Sequence, residues 1–351
     1  MSGENSSERF MAENLLSFAV KALTRAGLAE DRARVVADVL LDADLMGHST
    51  HGLGLLPLYV GALEDGKMEV AGEPVVLNDR GSTLAWDGRY LPGAWLTCRA
   101  IEEGLERLGE HPVVTVTIQK SHHIGSLASY PMRAIKKGAM MLLTCSDPNS
   151  ELIAPFGGLD AVYSPNPIAA GIPTSGRPVI FDTSMSTTAW GVANRAKQQG
   201  ERLPGKWMQD NEGKATDDPK VLDSEPSGTI LPIGGADHGY KGFALGLLVE
   251  ALTCGLSGSG RADELGRWGC STFIQLIDPD AFGGSDAFRR EMDYLAKRCH
   301  DSRTRPGADA VRLPGERALA LREEQVVAGL VLPEVVKEGL LKLSERLGIV
   351  L

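Results

Sequence analysis

The chain reads as an α/β protein in which a strand-rich middle is flanked by helices from both ends. Three observations carry that reading. Apolar residues recur at helical spacing across residues 10–46 and again across 288–300 and 322–348. Between them, short β-branched runs alternate with segments of helix length. The clearest strand, 113–118, runs directly into Lys120-Ser121-His122-His123-Ile124-Gly125, so a titratable pair sits at a strand's C-terminal end. Ligands of α/β proteins usually bind at that edge.

From the N-terminus, Leu15, Phe18, Ala19, Ala22 and Leu23 form one helical face, and Val35, Val36, Val39, Leu40 and Ala43 form a second after Gly27. The cluster Gly47-His48-Ser49-Thr50-His51-Gly52 then falls where a helix gives way to a loop. Residues 55–63 predict a short helix, with Pro57 in its first turn and Gly66 beyond its end. Strands are expected at 75–77 and 83–86, a helix at 95–108, and a strand at 113–118. A helix over 129–137 and a strand over 139–145 complete a strand–site–helix–strand unit. Further strands are expected at 169–172, 178–182 and 272–277, and an apolar helix at 242–254. The polar stretch 198–218 reads as a long exposed connection, and 322–348 as one amphipathic segment.

With 351 residues, 43% of them hydrophobic, the chain can bury one large core or two smaller ones. A net charge of -10 argues against nucleic acid or an anionic membrane as principal partner. Five cysteines, odd in number and without C-x-x-C spacing, read as buried thiols of a reducing compartment. The first residues lack the basic start and apolar run of a signal peptide, so cytoplasm is the expected location.

Seven histidines serve the chain, and imidazole is the side chain best matched to proton transfer near neutral pH. His123 stands before Ile124-Gly125 at a strand end, where it is either a structural residue or an acid/base. Adjacent strand residues point apart, so His122 and His123 do not form a metal pair. No H-E-x-x-H accompanies His48 and His51, and no metal is expected. Nor does any strand lead into G-x-G-x-x-G: Gly52-Leu53-Gly54 is followed by Leu55-Leu56-Pro57. Gly200 to Lys206 mimics a phosphate loop, but Trp207 stands where a magnesium-binding hydroxyl belongs and Pro204 removes an amide.

Four separated motifs in order resemble the type-2 malate/L-lactate dehydrogenase family over about residue 10 to Gly315. They are Thr50-His51-Gly52 with Pro57 and Tyr59; Ser121-x-His123-x-Gly125; Ala154-Pro155-Phe156-Gly157-Gly158 with Asn166-Pro167-Ile168-Ala169; and Tyr240-Lys241-Gly242-Phe243. The resemblance implies a non-Rossmann fold with a nucleotide-binding α/β body, residues 76–287. A largely helical domain would be built from 1–75 and 288–351. It implies hydride transfer between nicotinamide and a 2-hydroxy/2-keto acid or related compound, with NAD preferred over NADP, in a homodimer. His123 would move the proton, Asp147 would orient it, and His51 would stand beside the reacting atoms. Thr50, Leu55 and Tyr59 would face the substrate. Ser146, Asp182, Thr183, Ser184, Lys241, Pro314, Gly315 and Glu316 would contact the nucleotide.

One departure bears on specificity. The family usually has arginine where this chain has Leu55, and leucine cannot make the two-pronged bond to a carboxylate. Another cation, Arg133 or Lys120, replaces it, or that end of the substrate is apolar or uncharged. Ser146-Asp147-Pro148, Trp190-Gly191 and Asp217-Asp218-Pro219 resemble the ureidoglycolate dehydrogenase branch. An NADPH-dependent cyclic imino-acid reductase is the nearest enzymatic alternative, and a nucleotide-binding protein without turnover is the alternative of another class.

Overall fold

A computed structural model of the chain describes residues 8–351. Helices α1 (Ala12–Arg25) and α2 (Glu30–Leu45) form as the apolar spacing predicts, and α3 (Leu56–Glu64) follows a 3-10 turn at Leu53–Leu55. Strands β1 (Val75–Asp79) and β2 (Thr83–Asp87), helix α4 (Gly93–Arg107) and strand β3 (Val113–Ser121) come next. After α5 (Pro131–Ile135) run β4 (Met140–Ser146), β5 (Ile168–Ile172) and β6 (Val179–Thr183). Helix α6 (Trp190–Gln199) leads to three short strands: β7 (Met208–Gln209), β8 (Ala215–Thr216) and β9 (Thr229–Ile230). Then come α7 (Gly235–His238), α8 (Tyr240–Glu250), β10 (Cys270–Ile277), α9 (Ser285–His300), α10 (Glu316–Ala328) and α11 (Glu334–Leu347).

The main sheet has seven strands in the order β1-β2-β3-β10-β4-β5-β6. β10 runs antiparallel to both β3 and β4, pairing Cys270 with Ser121 and Ser271 with Ser146. β3 and β4 are therefore parallel to one another, and both leave the sheet at one edge, on either side of the start of β10. That topology brings the histidine pair and Asp147 to the same end of the molecule.

One core joins the terminal helices to the sheet: Phe18, Leu40 and Tyr59 pack in the same cluster as Val116, Leu143 and Ile274, with Leu340 of α11. The chain ends meet where Phe10 and Leu330 exchange backbone hydrogen bonds at 2.8 Å. Two expectations are corrected. Residues 198–218 are not an open connection: β8-β7-β9 form a second sheet there, over a small core of Ile153, Tyr163, Ala193, Leu203, Met208 and Ile230. Residues 322–348 are not one helix, because Gly329 takes φ 80° and Pro333 restarts the chain as α11. Among the described residues, no helix is long and apolar enough to cross a membrane.

Candidate active site

The site grows from two glycine-punctuated turns. Asp44, at the end of α2 and 6% exposed, accepts the Leu53 amide at 2.6 Å and so closes the turn that carries Thr50 and His51. Only glycine fits at position 52, since a Cβ there would lie 2.3 Å from the Asp44 carboxyl carbon. The second turn follows β3. Gly125 adopts φ 71°, which reverses the chain just after His123.

These turns bring His51, Tyr59 and His123 together. The His51 and His123 rings stack at 5.8 Å between centroids, and Thr50 Oγ1 lies 2.9 Å from His51 Nδ1. The buried Tyr59 hydroxyl is 2.8 Å from His123 Nδ1 and 3.2 Å from the His123 carbonyl. The Gly125 amide also donates to Nδ1, at 3.3 Å. Tyr59 can therefore donate to Nδ1 when the ring carries its proton on Nε2. In the other tautomer it accepts from Nδ1–H while donating to the carbonyl, which gives up the long Gly125 bond and leaves Nε2 bare. Burial, with His51 and His122 beside it, holds the His123 pKa well below 6.5, so the ring is a neutral base at pH 7. His51 is lowered by burial as well, with Asp182 opposing and His48 reinforcing the shift.

Asp147 is not bonded to His123. Its carboxylate accepts the Asn149 amide at 2.9 Å, and burial raises its pKa to about 6 against that bond and the Arg261 charge. The partner that orients His123 is Tyr59, a phenol brought from another element. Ser146 also departs from expectation, because its hydroxyl is fully buried and bonded to Glu250 at 2.8 Å. It belongs to a polar knot in which Glu250 also accepts from Asn166 at 2.9 Å and from Arg261 at 2.8 Å. Burial works to raise the Glu250 pKa, but Arg261 and the other donors hold it below the usual value. No motif marks Glu250 or Arg261; the one sequence signal is a lone carboxylate ending an apolar helix.

Trp268, also outside every motif, stacks on His123 at 4.9 Å and meets His122 edge-on at the same distance. His122 is fully buried, neither of its ring nitrogens has a hydrogen-bond partner among the described residues, and burial followed by Arg267 lowers its pKa to about 4.

A second cluster borders the first. A cavity of about 180 Å³ is lined by His48, Ala128, Asp182, Pro314 and Gly315 among others. Ser126 links His48, at 2.9 Å, to the Asp182 carboxylate, at 3.2 Å. Pro314 and Gly315 lie along the sheet edge, where Ile180 donates to the Pro314 carbonyl at 3.2 Å. A Cβ on Gly315 would be 2.6 Å from the Ile180 carbonyl oxygen, so this approach needs glycine. Glu316 is spent on the Leu313 amide and on His300, 2.8 Å away. Thr183 and Lys241 are exposed, and Ser184 is half-buried.

Leu55 is half-buried against the main core. Neither suggested replacement cation is free: Lys120 lies 3.7 Å from Asp87, and Arg133 3.7 Å from Glu102.

A family model for malate/L-lactate dehydrogenases matches residues 10–341. The chain belongs to the malate/L-lactate dehydrogenase family. It is 33% identical to a (2R)-3-sulfolactate dehydrogenase (NADP(+)) of Chromohalobacter salexigens, across 92% of this chain and 94% of that one. A malate dehydrogenase of Pyrococcus abyssi is 27% identical over 97% and 95% of the two chains. The crystal structure of malate dehydrogenase from Entamoeba histolytica superposes with TM-score 0.91 at 22% identity, covering 98% and 99%, a likeness of fold. The family supports an NAD(P)-linked oxidoreductase acting on 2-hydroxy or 2-keto acids.

Proposed function

We propose that this chain oxidises the carbinol of a 2-hydroxy acid, or reduces the matching 2-keto acid, with His123 as the proton acceptor and donor. The observation that carries the reading is the Tyr59 hydroxyl 2.8 Å from His123 Nδ1. It holds one ring nitrogen and leaves Nε2 to meet a substrate oxygen, in a site where burial keeps the ring neutral. His51, stacked beside it and tied to Thr50, provides a second polar group for the same substrate.

A nicotinamide dinucleotide, when bound, supplies the hydride acceptor or donor. The residues fit such a group in two respects. The cavity beside Asp182 offers a carboxylate and an imidazole, next to the close Gly315–Ile180 backbone contact. Exposed Thr183 and Lys241, with half-buried Ser184, provide hydroxyls and a cation for phosphates. His48 and Ser126 hold the Asp182 carboxylate in place, while Pro314-Gly315 screens the cavity from the C-terminal side. The likeness of Ser146-Asp147-Pro148 to the ureidoglycolate dehydrogenase branch favours NAD, and with it Asp147 as a substrate contact. A homodimer is part of the proposal: α8 leaves Leu245, Leu247 and Leu248 about half exposed, an apolar face that a second copy would cover.

His123→Ala tests the reading. Turnover should fall roughly 10²-fold or more, while direct titration shows nucleotide affinity nearly unchanged. Near-normal hydride transfer in a folded variant would remove His123 from the mechanism.

A further inference from the structure

The strand register places the segment entering β10 between the two loops of the site. Arg261 fastens that segment to the Asp147 loop, donating to the carbonyls of Asp147 at 3.0 Å, Ser150 at 2.9 Å and Pro148 at 3.3 Å. Its charge is matched by Glu250 at 2.8 Å. The Gly266 amide donates to Asn149 Oδ1 at 3.1 Å, and Asn149 Nδ2 returns a bond to the Arg267 carbonyl. At the far end, a Cβ on Gly269 would lie 2.4 Å from the Ser121 carbonyl oxygen, so the backbone is pressed onto the end of β3. Trp268 is thus held at both sides, and its indole covers the His123 ring at 4.9 Å with 27° between planes. It also meets Tyr59 edge-on at 6.0 Å.

Among the described residues, the cations nearest this aromatic wall are engaged elsewhere. Arg267, the neighbour in sequence, donates to the Gly66 carbonyl at 2.7 Å and lies over the Tyr90 ring at 4.8 Å. Leu55 carries no charge, and Lys120 and Arg133 face Asp87 and Glu102. The neighbouring loop brings Asp147 and Glu151, carboxylates that repel an anion rather than pair with it. A second carboxylate or a sulfonate brought here would lose its water and find an indole face and a leucine instead.

Resting on the proposed proton transfer by His123, we propose that Trp268 determines specificity. Its indole is the wall against which the group carried by the reacting carbon packs. The substrates selected are 2-hydroxy acids, or their 2-keto forms, whose side group is uncharged and apolar, branched or aromatic. A stacked ring gains from an indole face what a compact polar group cannot.

The test is a kcat/KM panel of lactate, 2-hydroxy-4-methylpentanoate, 3-phenyllactate and malate, run on the full chain with NAD and with NADP. The branched and aromatic acids should exceed lactate at least tenfold, and malate should not exceed lactate. Trp268→Gln should lower the ratio of phenyllactate to lactate at least tenfold, chiefly through KM for phenyllactate. Trp268→Phe, which keeps an aromatic face, should hold the ratio within about threefold. Malate preferred by the unaltered protein overturns the inference even if Trp268→Gln fails to fold, and so does an unchanged ratio in a folded Trp268→Gln. A preference for malate, with turnover that depends on His123, would leave the proposed function standing while this inference falls. No turnover of any 2-hydroxy or 2-keto acid would remove both.

Discussion

Replacing Asp44 with asparagine should make the protein more stable at pH 8 than at pH 5, relative to the unaltered chain. Asp44 is 6% exposed, one oxygen accepts the Leu53 amide at 2.6 Å, and the other has no partner among the described residues. Burial raises its pKa from 3.8 to about 7, with the Leu53 bond opposing. The native state therefore holds this proton more tightly than the unfolded chain does. Its contribution to stability is full below pH 4 and is lost as pH rises through about 7. At 1.36 kcal/mol for each pKa unit, the swing is roughly 4 kcal/mol across that window, of which roughly 3 kcal/mol falls above pH 5. Asparagine keeps an acceptor for Leu53 but leaves its amino group unpaired, a cost of about 1–3 kcal/mol at every pH. The offset is constant; the slope is diagnostic. For a chain of 351 residues, 1 kcal/mol corresponds to about 1.4 °C in Tm. The variant should gain about 4 °C on the unaltered protein between pH 5 and pH 8, read by paired calorimetric scans at one scan rate. A difference in Tm that stays constant with pH would overturn this assignment, because it would mean that the buried carboxyl is already ionised in the native state at pH 5.

Two further expectations concern the chemistry. Tyr59→Phe retains the packing of a fully buried ring but removes the phenol's bond to His123 Nδ1. Turnover should fall about tenfold, as expected for a misoriented base. The acid limb of the pH profile for alcohol oxidation should move to lower pH, since a protonated His123 loses its acceptor; an unmoved limb would show that the phenol does not sense the proton on His123. Leu55→Arg should raise the kcat/KM of malate relative to an apolar 2-hydroxy acid by at least tenfold, because the guanidinium can pair with the second carboxylate. An unchanged ratio would place Leu55 away from the substrate.

The sequence by itself determined the parts whose signal is local. Helical spacing set α1 and α2, a β-branched run set β3 and a short apolar run β4, and the His123-x-Gly125 turn marked the strand end that carries the histidine pair. It also made Leu55 visible as a departure, because a missing charge can be read without coordinates. Contacts between distant elements were decided only by the tertiary structure. Tyr59 reaches His123 across 64 positions, Glu250 reaches Ser146 across 104, and Trp268 comes to His123 from the entry to β10. The second sheet escaped the sequence for a related reason: its two-residue strands carry too little alternation to stand out from a polar loop. Asp147 shows the limit from the other side. Strand order brought it to the same edge as His123, as its motif implied. The hydrogen bond went instead to a phenol that already filled the position beside Nδ1, because pairing in a packed site is settled by which side chain occupies the space.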